Sequence, residues 1–402
     1  MDKSLFLHEV PGELREIIVE GTKDWSFIPA PLPNKLELPE KIWCLLVQAR
    51  EELARLDGVG RHIEAYELLL RPLQQREALR SSSLEGTYAT PQQLLLYEID
   101  PREPKSTHDP VNAWKEVSNY GKALVLGQKL LENIPISLRL IKDIHKELLS
   151  GVRGHHRDPG NFRRSQVHIG ADRRFIPPPH NEIINCLDNL EKYIHKDNIE
   201  IDPLIFCFMV HYQFEAIHPF LDGNGRVGRL LLSLMIYKFC GLSHPWLYLS
   251  AFFDKYKDEY INYLFQFSSK GNWQDWIAFC LRGTIAQSKD AIKRFDQLVY
   301  LHKKYDDAIS QIGGNVRLHK IIDKLFESPV VTVTQLASTH NISYPTAKSD
   351  IQRLVNAQIL HELESEYRPQ AYFALEIVNV AYNDFIEEEK IFSSDDTFLS
   401  AT

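Results

Sequence analysis

The 402-residue sequence predicts a mainly α-helical protein with one small β-hairpin set among the helices and a compact helix-turn-helix unit near its C-terminus. Three observations lead there. Apolar residues recur at helical spacing through most of residues 40–310. One stretch, 152–180, breaks that rhythm with turn residues and a short alternation around "SQVHI". Residues 316–375 then read as an amphipathic helix, a helix-turn-helix, and two strands around a charged turn.

Residues 1–40 are rich in proline and weakly periodic ("FIPAPLPNKLELPEKI"), so an extended arm lying on a neighbouring element is expected. Helical spacing takes over in "KIWCLLVQAREELARLDGVG" and "IEAYELLLRPLQQREALRSSSLEG". Gly58 and Gly60 are expected to break the first of these helices and Gly86 to cap the second. A proline-rich loop, "DPREPKSTHDP", precedes another helix at "VNAWKEVSNYGKALVLGQKLLENI", and "SLRLIKDIHKELLSG" is a helix ending at glycine. After the hairpin of about 165–179, helices resume at 181–195, 203–216 and from the loop at 218–229 to about Cys240, with more helical pattern over 251–310. "QIGGN" reads as a linker. The element order of the next segment resembles a winged helix. The domain expectation is therefore an N-terminal helical region over 1–110, a helical core over 111–310, a winged-helix-like domain over 316–376 and an acidic tail over 377–402.

Composition narrows the class. Hydrophobic residues make up 44% and charged residues 25% of the chain, the balance of a soluble globular protein. The net charge of -8 argues against a chain that coats nucleic acid, while leaving room for a local basic face. Cys44, Cys186, Cys207, Cys240 and Cys280 are odd in number and far apart, with no C-x-x-C pair, which argues against a disulfide framework or a zinc site. The first residues lack a basic start followed by an apolar run, and no apolar stretch reaches the ~18 residues of a membrane span. A cytoplasmic enzyme or regulator with no membrane partner is expected.

The stretch "HPFLDGNGRVGR", residues 218–229, concentrates the chemistry. Its G-x-G-x-x-G spacing is that of a dinucleotide-binding turn, but that fold needs a preceding strand and an acidic residue roughly 20 positions later. The segment before it, "DPLIFCFMVHYQFEAI", is helical in pattern, and no acid follows at that distance. A loop opening a helix fits better. Gly223 and Gly225 let the chain approach a ligand closely, and the helix beyond points free N–H groups and its positive dipole end at the loop. That is an anion site. Arg226 and Arg229 share one helix face and offer guanidinium forks to phosphate oxygens. Asp222 supplies hard oxygen for a divalent cation. His218 titrates near neutrality and can take a proton from a hydroxyl. Phe220 reads as an apolar anchor for the loop.

These residues match the Fic motif, H-P-F-x-[DE]-G-N-G-R-x-x-R, at every fixed position, and the chain resembles the Fic family. The resemblance implies a Fic-type helical bundle and a protein adenylyltransferase. Such an enzyme moves AMP from ATP to a hydroxyl side chain of a target protein, itself included, with Mg²⁺ present. By position it implies that His218 is the base and Asp222 the Mg²⁺ ligand. Gly223, Asn224 and Gly225 would form the anion hole, Arg226 a phosphate clamp and Arg229 the partner of the γ-phosphate. It makes the hairpin a flap that holds the target segment by strand pairing, with Val167, His168, Ile169 and Gly170 as its binding residues.

A second short motif concerns regulation. "SSSLEG", residues 81–86, places Glu85 at a helix C-terminus, where an acid is electrostatically unfavourable. Ser81, Glu85 and Gly86 match the inhibitory [ST]-x-x-x-E-[GN] pattern of Fic proteins. The implied brake pairs Glu85 with Arg229 and fills the γ-phosphate position. Other functions stand beside this one: a DNA-binding regulator whose core senses nucleotide, and an enzyme of the same family that removes AMP or transfers another phosphate-containing group. In the C-terminal unit, Ser343, Tyr344, Thr346, Lys348, Arg353 and Arg368 form a thin footprint for DNA, and protein contact is the favoured reading. A homodimer is expected.

Overall fold

The computed structural model describes residues 1–402 apart from 8–9, 20, 62–65, 153–156, 171–172, 198–199, 363–369 and 396–402. The elements are β1 (Gly12–Val19), β2 (Thr22–Pro29), α1 (Glu40–Arg61), α2 (Tyr66–Leu84), α3 (Pro91–Ile99), α4 (Val111–Leu130), α5 (Leu138–Leu148), α6 (Ile183–Ile194), α7 (Pro203–Ile217), α8 (Asn224–Phe239), α9 (Ser250–Lys255), α10 (Lys257–Lys270) and α11 (Trp273–Gln311). There follow α12 (Val316–Glu327), β3 (Val330–Thr332), α13 (Val333–Thr339), α14 (Tyr344–Asn356), β4 (His361–Glu362), β5 (Ala371–Phe373) and α15 (Leu375–Asp395). The fold is mainly helical, as the periodicity requires. No helix among the described residues is long and apolar enough to cross a membrane.

Internal contacts divide the chain into two units, each discontinuous in sequence. One gathers Met1–Gly58, Arg80–Thr87 and Asn119–Lys289; the other gathers Val59–Leu79, Tyr88–Ser118 and Asp290–Thr402. The core of the first unit is α7. Its sequence, "PLIFCFMVHYQFEAI", is apolar on every side, and it is accordingly buried on every side. It packs against α6, α8 and α10, and α8 also meets α5. This surrounds the loop between α7 and α8 with rigid helices.

The N-terminal arm differs from the expectation. β1 and β2 form an antiparallel hairpin, in register from Gly12 opposite Pro29 to Val19 opposite Thr22. The prolines that suggested an arm lie mostly beyond it, at 31, 33 and 39, while Ile17, Ile18 and Val19 are β-branched and end two residues from the partner strand. α1 also runs through Gly58 and Gly60 to Arg61. A helical glycine costs only ~1 kcal/mol, which the buried Leu53 and Leu56 outweigh. Helix α3, which the sequence reading passes over, starts with a capping box: Thr90 accepts from Gln93 N–H, Gln93 returns a bond to Thr90 N–H, and Pro91 opens the helix.

In the second unit, α12, α13 and α14 accompany a three-stranded antiparallel sheet of order β3-β5-β4. Strand β3 adds to the two strands expected. The charged turn between β4 and β5, Arg368 included, lies outside the described residues. Arg317 makes a two-bond pair with the buried Asp350 of α14 at 2.6 and 3.2 Å. Where an acidic tail is expected, α15 covers Leu375–Asp395, with Ile377, Ala381 and Tyr382 buried along its first half. The last residues, 396–402, lie outside the described ones.

Candidate active site

Helix α7 ends at His218, whose backbone is left-handed (φ 49°, ψ 62°). A non-glycine residue adopts this conformation rarely, at a cost that its surroundings must offset. The surroundings are specific. Arg163 donates from Nε to the His218 carbonyl at 2.9 Å, and from its two terminal nitrogens to the carbonyls of Ser165 (3.0 Å) and Pro178 (2.6 Å). One buried guanidinium thus ties both arms of the 165–179 segment to the histidine.

The loop is held from inside as well. Asn224 accepts from Phe220 N–H at 2.8 Å and donates to the Phe220 carbonyl at 2.9 Å. Its side chain braces the loop. Phe220 is fully buried and stacks on His145 at 3.7 Å. His145 Nδ1 accepts from Gly160 N–H at 2.8 Å, so its Nε2 carries the proton and donates to the Asp222 carbonyl at 3.1 Å. Burial pushes the His145 pKa down to about 4, consistent with that neutral form. Gly223 follows at φ 77°, and α8 begins at Asn224 with no side-chain cap. The first N–H groups of α8 therefore face the loop without intrahelical partners, as an anion site needs.

Around this turn the charged side chains divide. Asp222 is 45% exposed and lies 3.5 Å from Arg226, which is nearly buried. Arg229 is buried and faces the end of α2: Nε donates to Ser81 Oγ, and one terminal nitrogen donates to both the Ser81 carbonyl and Glu85 Oε1, each at 2.8 Å. The Ser81 carbonyl belongs to the last turn of α2, where orphan carbonyls and the negative dipole end attract a cation. Burial opposes the Glu85 charge, but Arg229 outweighs it, with help from Arg226, and the carboxyl is held below its ordinary value. Burial pushes the His218 pKa down to about 4, reinforced by the Arg163 charge and opposed by Glu85. The imidazole is neutral at neutral pH, the form that accepts a proton, and its buried Nδ1 has no hydrogen-bond partner.

A pocket of ~240 Å³ opens at His218. Glu85, Gly225, Arg229, Ile169 and Gly170 of the sequence-derived set line it with His218. Asp222, Gly223, Asn224 and Arg226 form the turn beside it, and Val167 and His168 sit on the flap away from its lining. Among the described residues the flap's strand pairing is the Ile169–Phe175 bridge, and Pro177, Pro178 and Pro179 carry no N–H to extend the ladder. Residues 171–172 at its tip lie outside the described ones. The N-terminal hairpin backs the flap instead. Phe27 N–H donates to the Ile176 carbonyl at 2.9 Å, Ser26 Oγ to the Pro177 carbonyl at 2.8 Å, and the buried Phe27 ring lies 5.7 Å from Phe175. Phe27→Ala removes the ring contact with Phe175 and leaves the two hydrogen bonds in place. Hydrogen exchange over 165–179 is expected to speed up by about tenfold or more while α7 and α8 keep their protection; unchanged flap exchange would refute the bracing role.

Sequence reasoning missed His145, Arg163 and Glu215. Arg163 and His145 stand 55 and 77 residues from the loop atoms they hold, so no local spacing marks them. Glu215 had a signal: it is the one acid in α7, a helix whose other polar residues are His211, Tyr212 and Gln213.

Residues 43–129 match the Fic/DOC family N-terminal profile, and residues 135–236, which contain the loop, match that of the Fic/DOC family. This stretch of the chain is similar to the Fic domain. The two matched stretches include Ser81, Glu85, His145, Arg163 and the whole 218–229 turn. Relatives named protein adenylyltransferase Fic, from Drosophila erecta and Drosophila melanogaster, are 30% identical over 115 residues, which is 28% of this chain. The match spans only 22% of the length of those relatives. Among solved structures, a Fic family protein from Desulfovibrio desulfuricans aligns with a TM-score of 0.53 at 20% identity, covering 84% of this chain and 97% of that one. Fic-1 from C. elegans aligns with a TM-score of 0.52 at 21% identity, covering 65% and 74%. At these identities the structural likeness speaks for the fold.

Proposed function

We propose that the protein is an auto-inhibited protein adenylyltransferase that transfers AMP from ATP to a hydroxyl side chain of a target protein. The observation that carries this reading is a neutral, buried imidazole beside an uncapped helix N-terminus, both opening on one pocket. Transfer at phosphorus depends on positioning and on neutralising charge. The N–H groups of Asn224 and Gly225, with Arg226, face the phosphates, and Arg229 is the partner of the terminal one. His218 takes the proton of the attacking hydroxyl as the bond to the α-phosphorus forms and pyrophosphate leaves. The flap residues Val167, His168, Ile169 and Gly170 hold the target segment by main-chain pairing, with Arg163 setting the flap base against His218.

Asp222 fits Mg²⁺ as a half-exposed carboxylate beside the phosphate site. No group of three or more metal-ligating side chains occurs among the described residues, and Mg²⁺ at phosphates needs only one or two carboxylates. When bound it would supply charge neutralisation.

Glu85 acts as the brake by taking the Arg229 face that the terminal phosphate needs. A second reading, hydrolytic removal of AMP, is favoured by one observation: Glu85 and His218 line the same pocket, where a carboxylate could orient water. In the second unit, Arg353 of α14 is already held by the Ile312 and Gly313 carbonyls at 3.3 and 3.2 Å, which favours protein contact over DNA for this face.

The test is incubation of the Glu85→Gly chain with labelled ATP and Mg²⁺, followed by mass spectrometry. AMP on a Ser, Thr or Tyr hydroxyl, absent in the His218→Ala control, supports transfer. Release of AMP from a modified protein supports removal, and no nucleotide chemistry in either direction rejects both. The pH profile adds a check. The base form of His218 is present above its pKa and lost below it. On the acid side, the free-enzyme profile, kcat/KM, is therefore expected to fall only as pH drops through about 4. An acid limb near the ordinary histidine value, about 6.5, would contradict the assignment of His218.

A further inference from the structure

Glu215 of α7 has no place in the reaction above, yet it sits at the centre of the site. It lines the pocket with His218, and its Oε1 is buried with no hydrogen-bond partner. The carboxyl lies against α8 at Gly228, where a methyl group would run into Oε1. Glu85 occupies the matching notch at Gly225, where a methyl would run into its own Oε1. Arg229 follows on the same helix. Two carboxyls therefore lie against α8 where the Arg229 charge reaches both, and one of them, Glu85, holds it at 2.8 Å.

We propose that Glu215 is a positioning residue for Arg229: a reserve counter-ion that competes with the nucleotide's terminal phosphate once Glu85 has left. The inference rests on the reading that Arg229 receives that phosphate.

The charges acting on Glu215 decide the sign. Arg229 of α8 and Glu85 at the end of α2 act on it directly, Tyr260 of α10 feels its charge, and His218 lines the same pocket; His211 lies one turn back on α7, and Arg226 acts on Glu85. His211 is fixed as a neutral relay, with Nδ1 near the Gly228 carbonyl at 3.1 Å and Nε2 2.9 Å from the Tyr260 hydroxyl. Burial pushes Glu215 up to about 8, Arg229 opposes this and Glu85 adds to it. With Glu85 in place, Glu215 therefore holds its proton at neutral pH. Removing Glu85 removes a raising influence and leaves Arg229 pulling the other way. The carboxyl then titrates between the ordinary value, about 4.3, and about 8. Below that titration Arg229 is open to phosphate. Above it Glu215 has given its proton to solvent, pairs with Arg229 and repels the triphosphate.

The experiment is calorimetric titration of the Glu85→Gly and Glu85→Gly/Glu215→Gln proteins, each as the whole chain, with ATP and Mg²⁺, with ADP in parallel, from about pH 4.5 to about pH 8.5. Glutamine keeps the shape and cannot ionise. In Glu85→Gly, the Kd for ATP should weaken by about tenfold more across this range than in the double variant, while the ADP curves of the two proteins run together. Coincident ATP curves would overturn the role of Glu215 and leave the nucleotide reading intact. Equal loss of ATP and ADP affinity at every pH would mark Glu215 as packing only and also overturn it. Failure of Glu85→Gly to bind either nucleotide would overturn the nucleotide reading, and this inference with it.

Discussion

Glu85→Gly is expected to raise AMP transfer by about two orders of magnitude. The Arg229 guanidinium is buried, and the Glu85 carboxylate meets it at 2.8 Å. A phosphate can take that face only by first separating the pair. The guanidinium is buried while the Glu85 side chain stays 38% exposed, so separating this hydrogen-bonded pair costs about 2–3 kcal/mol, less than a fully buried one, and each 1.4 kcal/mol is roughly a factor of ten in population. Glycine removes the carboxylate and leaves the rest of the clamp in place. Ser81 still holds Arg229 through its hydroxyl and its carbonyl, and the end of α2 stays anchored by Arg80 and Ser83 to Asp254 at 3.1 and 3.3 Å. Position 85 lies just beyond the last residue of α2, so glycine there costs the helix little. The measurement is the initial rate of labelled AMP incorporation for the two proteins at equal concentration. Equal rates would mean that the Glu85–Arg229 pair, though present, does not limit nucleotide entry. Glu85→Gln keeps the shape and loses the charge, so its rate should fall between the two.

What the sequence allowed and what it withheld divide along one physical line. The turn at 218–229 is legible because its parts are consecutive: the helix start at Asn224, the glycine in a left-handed conformation at 223 and the two arginines on one face all follow from local geometry. The contact between Glu85 and Arg229 joins residues 144 positions apart, and became readable only because two short motifs each matched a known pattern. Nothing comparable marks Arg163 or His145. Each is an ordinary polar residue in its own segment and acquires a role only when packing carries it to a backbone carbonyl of the loop. The N-terminal hairpin failed for a different reason. Its strands carry Glu13, Arg15, Glu16, Lys23 and Asp24, so alternation is weak, and its apolar side is defined by Phe6 and Phe175, which lie outside it. At α1 the local rule was overridden by burial. Two glycines mark a stop in isolation, but a helix already paid for by core leucines passes through them.

His218→Ala, made in the Glu85→Gly background, should lower transfer by about 10²–10⁴-fold, the usual contribution of a positioned base. The background matters, because in the braked protein a slow rate hides the loss. The left-handed backbone at residue 218 complicates the reading. Alanine tolerates that conformation less well than asparagine does, so a dead alanine variant has two explanations: a missing base or a shifted loop. His218→Asn separates them. Asparagine accepts the left-handed backbone and offers no proton acceptor near the required strength, so it preserves the loop and removes the chemistry. The Arg163 bond to the carbonyl of residue 218 and the Asn224 bonds to Phe220 involve no atom of the imidazole, so ATP affinity should stay within about threefold in the asparagine variant while transfer is lost. Transfer surviving at near-full rate in His218→Asn would move the base to another residue of the pocket. Loss of ATP binding together with transfer would show that the imidazole shapes the phosphate cradle instead of drawing the proton from the hydroxyl.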